Sequence, residues 1–185
     1  MTGAAGPRKG PAGSRRRTVP ERGREISILE RFCLERQAEP CAVVVFGASG
    51  DLASRKLIPA LYHLYQRGLL GDGFFILGCG RTSLEDGGFR DLVREALAGV
   101  AGEPRARDWF VDACYYITGQ YDQAELYGTL GARLLELEKK HDTHGNRLFY
   151  LSTPPSLYET IAGGLAAGRL AKEMPGSPWR RVIVE

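Results

Sequence analysis

The sequence predicts an α/β fold with a doubly wound parallel sheet. Short apolar runs rich in Val, Ile, Phe and Tyr alternate along the chain with longer segments whose apolar residues recur at helical spacing. The first apolar run, Ala42–Phe46, is followed at once by a glycine turn and a helical segment. Alternation of this kind is typical of a parallel sheet that helices cover on both faces, with ligands bound at the carboxyl ends of its strands.

Length and charge divide the chain into a tail and one domain. Its 185 residues are 43% hydrophobic, which is enough for one domain with a sizeable core. The formal net charge of +3 is uneven, because residues 1–24 hold seven basic residues against one acidic residue. This segment has few large apolar residues, so it cannot bury enough surface to offset the conformational entropy that ordering would cost. We therefore predict a disordered basic tail over 1–24, with a transit peptide or a misassigned start codon as alternatives, and a folded domain over 25–185.

Composition also argues against several kinds of partner. The basic residues lie in the tail rather than in the domain, which disfavours nucleic-acid binding. No apolar run approaches the roughly 20 residues that span a bilayer, so we expect a soluble chain that binds no membrane. The cysteines form no C-x-x-C pair and accompany no histidine cluster, which favours reduced, buried thiols over disulfides or a metal site. They are Cys33, Cys41, Cys79 and Cys114.

The first elements follow from periodicity and from proline and glycine. An amphipathic helix is expected over Ile26–Gln37, ahead of the first strand at Ala42–Phe46. In the helix that follows the glycine turn, Pro59 removes one backbone donor, so it either bends the helix or marks a later start of its regular part. Gly68 and the glycine cluster at 71–73 are expected to end this helix.

The remaining elements continue the alternation. Four further strands are predicted, at Phe74–Gly78, Tyr115–Thr118, Leu148–Ser152 and Arg181–Val184. Apolar residues at helical spacing predict intervening helices at 89–97, at 126–137 and up to Leu170. Asp122 is expected to cap the second of these helices and Ser156 the third, with a loop at His141–Asn146.

The glycine turn indicates a site for a dinucleotide. Gly47 and Gly50 have no Cβ atoms to keep a pyrophosphate away from the backbone, and the N–H groups of the following helix face its negative charge. The G-x-G-x-x-G pattern is met only at its second and third glycines, because Val45 stands at the first position. Asp51 either caps the helix or orients the loop around the cofactor, and we expect its carboxylate to bond backbone N–H groups. The predicted cofactor-binding residues of this turn are Gly47, Ala48, Ser49, Gly50, Asp51 and Leu52.

Arg81 favours NADP over NAD as the cofactor. It follows the second predicted strand, where NAD-binding domains place a carboxylate on the ribose 2′-hydroxyl, and no acidic residue occurs over 74–84. Arg81, with the hydroxyl groups of Thr82 and Ser83, can instead contact a 2′-phosphate. The alternative is an ordinary surface arginine.

Residues 40–185 resemble the glucose-6-phosphate dehydrogenase family in one continuous order. Gly47–Leu52, the basic pair Arg55-Lys56 and Leu57–Leu61 together are similar to its nucleotide-binding signature. Four later segments also match, namely Phe75–Arg81, Thr118–Asp122, Asn146–Pro155 and Arg181–Glu185. The last of these is similar to the strand that leads into the family's Glu-Lys-Pro-Phe-Gly motif.

The resemblance implies a Rossmann-type NADP-binding domain of a cytoplasmic, homo-oligomeric enzyme of the pentose phosphate pathway. Such an enzyme oxidises glucose 6-phosphate to 6-phosphogluconolactone as NADP is reduced. The resemblance also implies that Lys56 lies on the substrate side, that Tyr150 contacts the cofactor, and that a proline within 153–155 is cis.

The family's remaining parts lie outside these 185 residues. They are the lysine after Glu185, a histidine-containing substrate motif and a large C-terminal α+β domain. We therefore expect a truncated chain with an incomplete Rossmann-type sheet, which binds NADP but is inactive alone because its main base is absent. The three histidines are poor candidates for that base and are expected to be solvated: His63, His141 and His144.

Another class of function remains open, namely a free-standing, non-catalytic NADP-binding or regulatory module. Two further classes are disfavoured. No tyrosine is followed four residues later by the lysine that short-chain dehydrogenases need, and no P-loop motif occurs.

Overall fold

The structure, a computed structural model, describes residues 37–71 and 73–184. The predicted tail at 1–24 and all but the last residue of the predicted helix Ile26–Gln37 lie outside the described residues. The division of the chain at residue 24 therefore stays a prediction.

Five parallel strands form one sheet in the order β3-β2-β1-β4-β5. The strands are β1 (Cys41–Phe46), β2 (Phe74–Gly80), β3 (Cys114–Thr118), β4 (Arg147–Leu151) and β5 (Arg180–Val184). From β1 the chain runs outward to β2 and β3, then returns to the other side of β1 for β4 and β5. The strand order thus reverses between β1 and β4, and a doubly wound sheet binds its ligand in the crevice outside the carboxyl ends at that point.

Helices cover both faces of the sheet, as the sequence predicts. They are α1 (Ile58–Gln66), α2 (Asp86–Ala96), α3 (Pro104–Asp112), α4 (Ala124–His141) and α5 (Tyr158–Ala167). Residues of α1, α2 and α3 share a core with one face of the sheet, and residues of α4 and α5 share a second core with the other face. The predicted doubly wound α/β class is confirmed.

The central strand β1 is buried on both faces. Its side chains point alternately into the two cores, with Val43 and Val45 on the α1 side and Val44 and Phe46 on the α4 side. Every residue of β1 is buried, which explains why its sequence is an uninterrupted apolar run rather than an alternating one.

Pro59 lies in the first turn of α1, directly after a π-helical turn at Ala53–Leu57. A proline has no N–H group, and its ring crowds the carbonyl four residues earlier, here that of Arg55. The chain widens instead, so that the Ile58 N–H donates to the Ala53 carbonyl oxygen, five residues back. Of the two alternatives given for Pro59, the later start of the regular helix is the one that the structure shows.

Both predicted helix caps are wrong. The helix α4 begins at Ala124, so Gln123 rather than Asp122 occupies the N-cap position. Ser156 lies inside a 3-10 turn, Pro155–Leu157, that precedes α5. In each case a few residues of turn separate the strand from the helix. The length of such a turn has no local sequence pattern, so the first residue of the helix could not be predicted.

Sequence reasoning missed α3 altogether. This helix contributes only Phe110 and Val111 to the buried core, which is too few positions to set up a helical period. Pro104 at its first turn is the one start signal that could have indicated it, since proline fits the first position of a helix.

Candidate functional site

The glycine turn is held between the ends of β1 and β2. The Gly47 N–H donates to the Cys79 carbonyl oxygen at 2.8 Å, and the Gly50 N–H donates to the Gly47 carbonyl oxygen at 2.9 Å. Gly47 has φ +81°, and a Cβ atom on it would overlap the Ser152 carbonyl oxygen at the end of β4. The fold itself therefore requires glycine at position 47. Its contact with a cofactor stays a prediction.

Gly50 lies at an open position at the start of a helix. A Cβ atom there would approach only the Gly47 carbonyl oxygen, at 3.1 Å. The Ser54 N–H donates to the Gly50 carbonyl oxygen at 3.1 Å. The N–H groups of residues 51–53 lie earlier in the helix than this hydrogen bond. The first N–H groups of a helix have no intrahelical acceptors and carry the positive end of its dipole. An open glycine beside such groups fits the pyrophosphate of a dinucleotide.

Asp51 pairs with Arg55 and does not cap the helix. Its Oδ1 lies 2.5 Å from Arg55 Nε, and the two side chains are 75% and 76% exposed. The expectation that this carboxylate bonds backbone N–H groups is wrong, because the guanidinium one helical turn away is the stronger partner for a carboxylate. A surface pair of this kind adds little stability, but it leaves the N–H groups of the turn to other acceptors.

A hydrogen bond joins the glycine turn to the segment after β2. Ser49 Oγ lies 3.0 Å from Thr82 Oγ1. The turn can approach β2 because Gly78 lacks a side chain, since a Cβ atom there would lie 2.9 Å from the Ala48 Cβ. The exposed Arg81, which immediately precedes Thr82, is thereby placed beside the turn.

Arg81 also lies within electrostatic range of Tyr121, which follows β3. Burial raises the pKa of the Tyr121 hydroxyl to about 12, and the Arg81 guanidinium opposes this rise. In the described residues no carboxylate forms an ion pair with Arg81. A cation without an acidic partner at this position can take a phosphate group.

The far side of the crevice is formed by the segment after β4. The Ser152 N–H donates to the Phe46 carbonyl oxygen at 3.0 Å, so the pairing of β4 with β1 continues to the start of the turn. The hydroxyl oxygens of Ser152 and Thr153 are both buried and have no hydrogen-bond partner among the residues that the structure describes.

Pro154 and Pro155 follow trans peptide bonds, since none of the described residues follows a cis bond. The expectation of a cis proline is wrong. Pro154 has φ −56° and ψ 146°, and Pro155 opens the 3-10 turn, where its fixed φ fits without isomerisation.

Tyr150 lies within β4, paired with Val45 and Ile183, and is half-buried. Its neighbours Phe149 and Leu151 belong to the core on the α4 side, so the Tyr150 side chain is on the opposite face. Its contact with a cofactor stays a prediction.

Lys56 is exposed in the π-helical turn, one turn beyond the glycine turn. Whereas Arg55 is occupied by Asp51, Lys56 forms no ion pair with any residue in the described part of the chain. Arg55 is therefore held in an ion pair, whereas Lys56 has no acidic partner among the described residues.

The histidines lie away from the crevice. His63 is exposed on α1, and His144 is exposed in the loop that precedes β4, at the amino-terminal edge of the sheet. His141 ends α4 rather than starting a loop, and its Nε2 lies 2.9 Å from the Tyr115 hydroxyl. The expectation that His141 is solvated is wrong, because its ring packs against Phe75 and Tyr115.

The described cysteines, Cys41, Cys79 and Cys114, are buried free thiols. Burial raises the pKa of Cys41 to about 11 and that of Cys79 to about 12, so both remain protonated and unreactive. In the described part of the chain, no three candidate ligands cluster as a metal site would need, and no helix is long and apolar enough to cross a membrane.

Comparisons with known proteins identify relatives of this arrangement. Residues 44–185 match the family model of the glucose-6-phosphate dehydrogenase NAD binding domain. The glucose-6-phosphate 1-dehydrogenase of Aggregatibacter actinomycetemcomitans is 47% identical over 153 residues, which cover 80% of this chain and 30% of that protein. The enzyme of Chlamydia pneumoniae is 39% identical over 155 residues, again 30% of its length. The chain thus spans about 30% of the length of these relatives.

Solved structures agree with the sequence comparisons. A glucose-6-phosphate dehydrogenase in complex with its substrate glucose-6-phosphate superposes with a TM-score of 0.69 at 31% identity, over 80% of this chain and 31% of that one. A glucose-6-phosphate 1-dehydrogenase from Mycobacterium avium gives a TM-score of 0.63 at 28% identity, over 78% of this chain and 29% of that one. Domains of the matched family take a nicotinamide dinucleotide as cofactor. The family match, the glycine turn and the strand order together show that this chain belongs to the glucose-6-phosphate dehydrogenase NAD binding domain family.

Proposed function

We propose that the chain is the NADP-binding portion of a glucose-6-phosphate dehydrogenase, which oxidises glucose 6-phosphate to 6-phosphogluconolactone. One observation carries the proposal: the glycine turn, with its open Gly50, is joined through Ser49 and Thr82 to the segment that bears Arg81. The open glycine turn and the exposed Arg81 therefore lie side by side at the carboxyl ends of β1 and β2, which supports a pyrophosphate site beside a phosphate-binding cation. This is the arrangement that a 2′-phosphorylated dinucleotide requires.

Each part of the site has a distinct task in this proposal. The N–H groups of residues 51–53 bind the pyrophosphate. Arg81 and the hydroxyl of Thr82 bind the 2′-phosphate, and the lack of acidic residues over 74–84 avoids repulsion of that dianion. NAD lacks this phosphate and binds more weakly. When bound, the nicotinamide ring accepts the hydride that leaves the sugar.

On the substrate side of the proposed site, this chain offers a cation and a cofactor contact but no histidine placed to act as the base. Lys56, exposed and without an ion pair in the described residues, is the cation proposed to face the anionic sugar phosphate. Tyr150 is proposed to contact the cofactor from β4. A base must take the hydroxyl proton as hydride leaves, but the three histidines lie on α1 or at the opposite edge of the sheet. We therefore propose that this chain alone holds the cofactor and does not catalyse the oxidation.

The same placement of histidines also favours a second candidate function, a free-standing NADP-binding or regulatory module without catalysis. The two candidates differ in what supplies the base. Adding the remaining 70% of a relative in trans restores NADPH formation only under the first candidate. A cytoplasmic location, supported by the buried free thiols, and homo-oligomers of the whole enzyme complete the proposal.

The test measures binding and turnover of the same protein. Calorimetric titration should show tighter binding of NADP⁺ than of NAD⁺, and no NADPH should accumulate with glucose 6-phosphate. Absence of binding to both cofactors would overturn the cofactor site. Steady NADPH production by the purified 185-residue chain would overturn the division of roles.

A further inference from the structure

We propose that Thr118, at the carboxyl end of β3, is a positioning residue for the 2′-phosphate of the cofactor. Its hydroxyl group holds the segment after β2 in the conformation that presents Arg81 and Thr82. The inference rests on the proposed function, because it explains how the chain fixes the two residues that the proposed function assigns to this phosphate.

The segment that follows Arg81 has little support from backbone hydrogen bonds. Residues 82–84 belong to no helix or strand. Among the described residues, their backbone groups form no hydrogen bond with another backbone group. A segment of this kind keeps one conformation only when side chains supply the missing partners. The side chains that bond to residues 82–84 therefore decide how this segment is held.

Thr118 supplies most of these partners. Its Oγ1 accepts a hydrogen bond from the Leu84 N–H at 3.1 Å. Its single hydroxyl hydrogen is shared between the carbonyl oxygens of Thr82 and Leu84, each 3.1 Å away. The Thr82 carbonyl oxygen also accepts from the Tyr116 hydroxyl, at a longer distance of 3.3 Å. One side chain thus ties both ends of the segment 82–84 to the edge of β3.

The same segment is joined to the glycine turn. Thr82 Oγ1 lies 3.0 Å from Ser49 Oγ, so Thr82 bonds the turn through its side chain and Thr118 through its backbone. Arg81 directly precedes this doubly held residue. Without the Thr118 hydroxyl, Arg81 and Thr82 would have to be ordered when the cofactor binds, and ordering of that kind lowers affinity.

The position of Thr118 makes a role in folding a weaker explanation for these bonds. Thr118 is exposed, whereas the other residues of β3 are buried, so water competes for its hydroxyl group. Tyr116 differs, because it is buried and its ring packs against Phe89. Valine has the shape of threonine and a high preference for strands, so Thr118→Val removes the hydroxyl and should leave β3 intact.

The experiment titrates both cofactors into the full chain and into Thr118→Val by calorimetry. Affinity for NADP⁺ should fall about three- to tenfold, because the groups that bind the 2′-phosphate are no longer held in place. Affinity for NAD⁺ should not change, since NAD⁺ lacks this phosphate. Thr118→Ser retains the hydroxyl and should bind NADP⁺ like the wild type. Circular dichroism of each variant checks that the domain is folded.

A double-mutant cycle with Arg81 tests whether Thr118 acts through this segment. In an Arg81→Ala background, Thr118→Val should have little further effect on NADP⁺ affinity, because the contact that Thr118 positions is already lost. Thr129 is an exposed threonine on α4, on the opposite face of the sheet from α1 and α2. Thr129→Val is the matched control and should leave both affinities unaltered.

The outcomes separate this inference from the proposed function. Equal weakening of both cofactors in Thr118→Val, or an equal loss of NADP⁺ affinity in the Arg81→Ala background, would overturn the inference. Unchanged NADP⁺ affinity in Thr118→Val would overturn it too, as would a Thr118→Ser variant that binds as weakly as Thr118→Val. Wild-type protein that binds neither cofactor, or both equally, would instead overturn the proposed function and, with it, the inference.

Discussion

Gly47 and Ser152 lie in such close contact that no side chain fits between them. A Cβ atom on Gly47 would overlap the Ser152 carbonyl oxygen, and Gly47 also has φ +81°. Gly47→Ala should therefore lower the free energy of unfolding by at least about 2 kcal/mol, from the left-handed backbone and the overlap together. Urea denaturation followed by circular dichroism measures this loss. A variant as stable as the wild type would show that the two strands can separate without cost.

Gly50→Val should weaken cofactor binding and leave the domain folded. Because a Cβ atom at position 50 has space apart from the Gly47 carbonyl oxygen at 3.1 Å, the variant should fold. Its branched side chain would occupy the pyrophosphate position, so NADP⁺ affinity should fall by at least about tenfold. Gly87→Val, at an open position in the first turn of α2, is the control and should bind normally. If Gly50→Val retained its affinity, the turn would have only a structural role.

Arg81→Glu should reduce the preference for NADP⁺ over NAD⁺. Loss of a charge-assisted contact to the 2′-phosphate should weaken NADP⁺ binding by roughly 1.5–3 kcal/mol, while NAD⁺ binding changes little. Calorimetry with both cofactors measures the ratio. Arg105→Glu, at an exposed position on α3, makes the same charge change elsewhere and should preserve the ratio. An unaltered ratio in Arg81→Glu would remove this residue from the site.

Glu138 and Arg147 form a buried ion pair that joins α4 to the start of β4. Glu138 Oε1 lies 2.5 Å from Arg147 Nε and Oε2 lies 3.0 Å from Arg147 Nη2, and the two side chains are 10% and 8% exposed. Glu138→Ala would leave a buried cation and should cost about 3–5 kcal/mol of unfolding free energy. The double variant Glu138→Leu/Arg147→Met should recover most of this loss. Denaturant titration of the three proteins tests both statements, and equal stability of the single and double variants would contradict them.

His141 should make the protein less stable in mild acid. Burial, and then the neighbouring Lys140 charge, lower the pKa of His141 from its usual 6.5. The unfolded chain therefore binds the proton first, so stability is full above pH 6.5 and falls as the pH drops below that value. The midpoint of urea unfolding should decrease between pH 7.5 and 5.5, and less so in His141→Gln. His63→Gln, which alters an exposed histidine, should behave like the wild type. Identical pH profiles for all three proteins would contradict the assignment.

Much of the fold could be predicted from local patterns. The uninterrupted apolar run of β1 reflects burial on both faces. Four leucines are spaced for one helix face, and all four are buried on the face of α4 that packs against the sheet: Leu126, Leu130, Leu134 and Leu137. Helix caps and the cis proline were predicted wrongly, because the direction in which the chain leaves a strand depends on the strand's neighbours. The helix α3 was missed because its core contribution, Phe110 and Val111, is too small to create a period.

The sequence by itself determined the alternation of strands and helices, the glycine turn at the end of β1 and the basic residue after β2, since each is a property of adjacent residues. Only the tertiary structure decided which strands and residues these segments contact. It placed β4 rather than β3 beside β1, put Ser152 against Gly47 and joined Ser49 to Thr82. Contacts between residues so far apart in the chain depend on how the strands pair and leave no periodic trace in the sequence. For that reason the contact between Gly47 and Ser152 became visible only when the sheet was assembled.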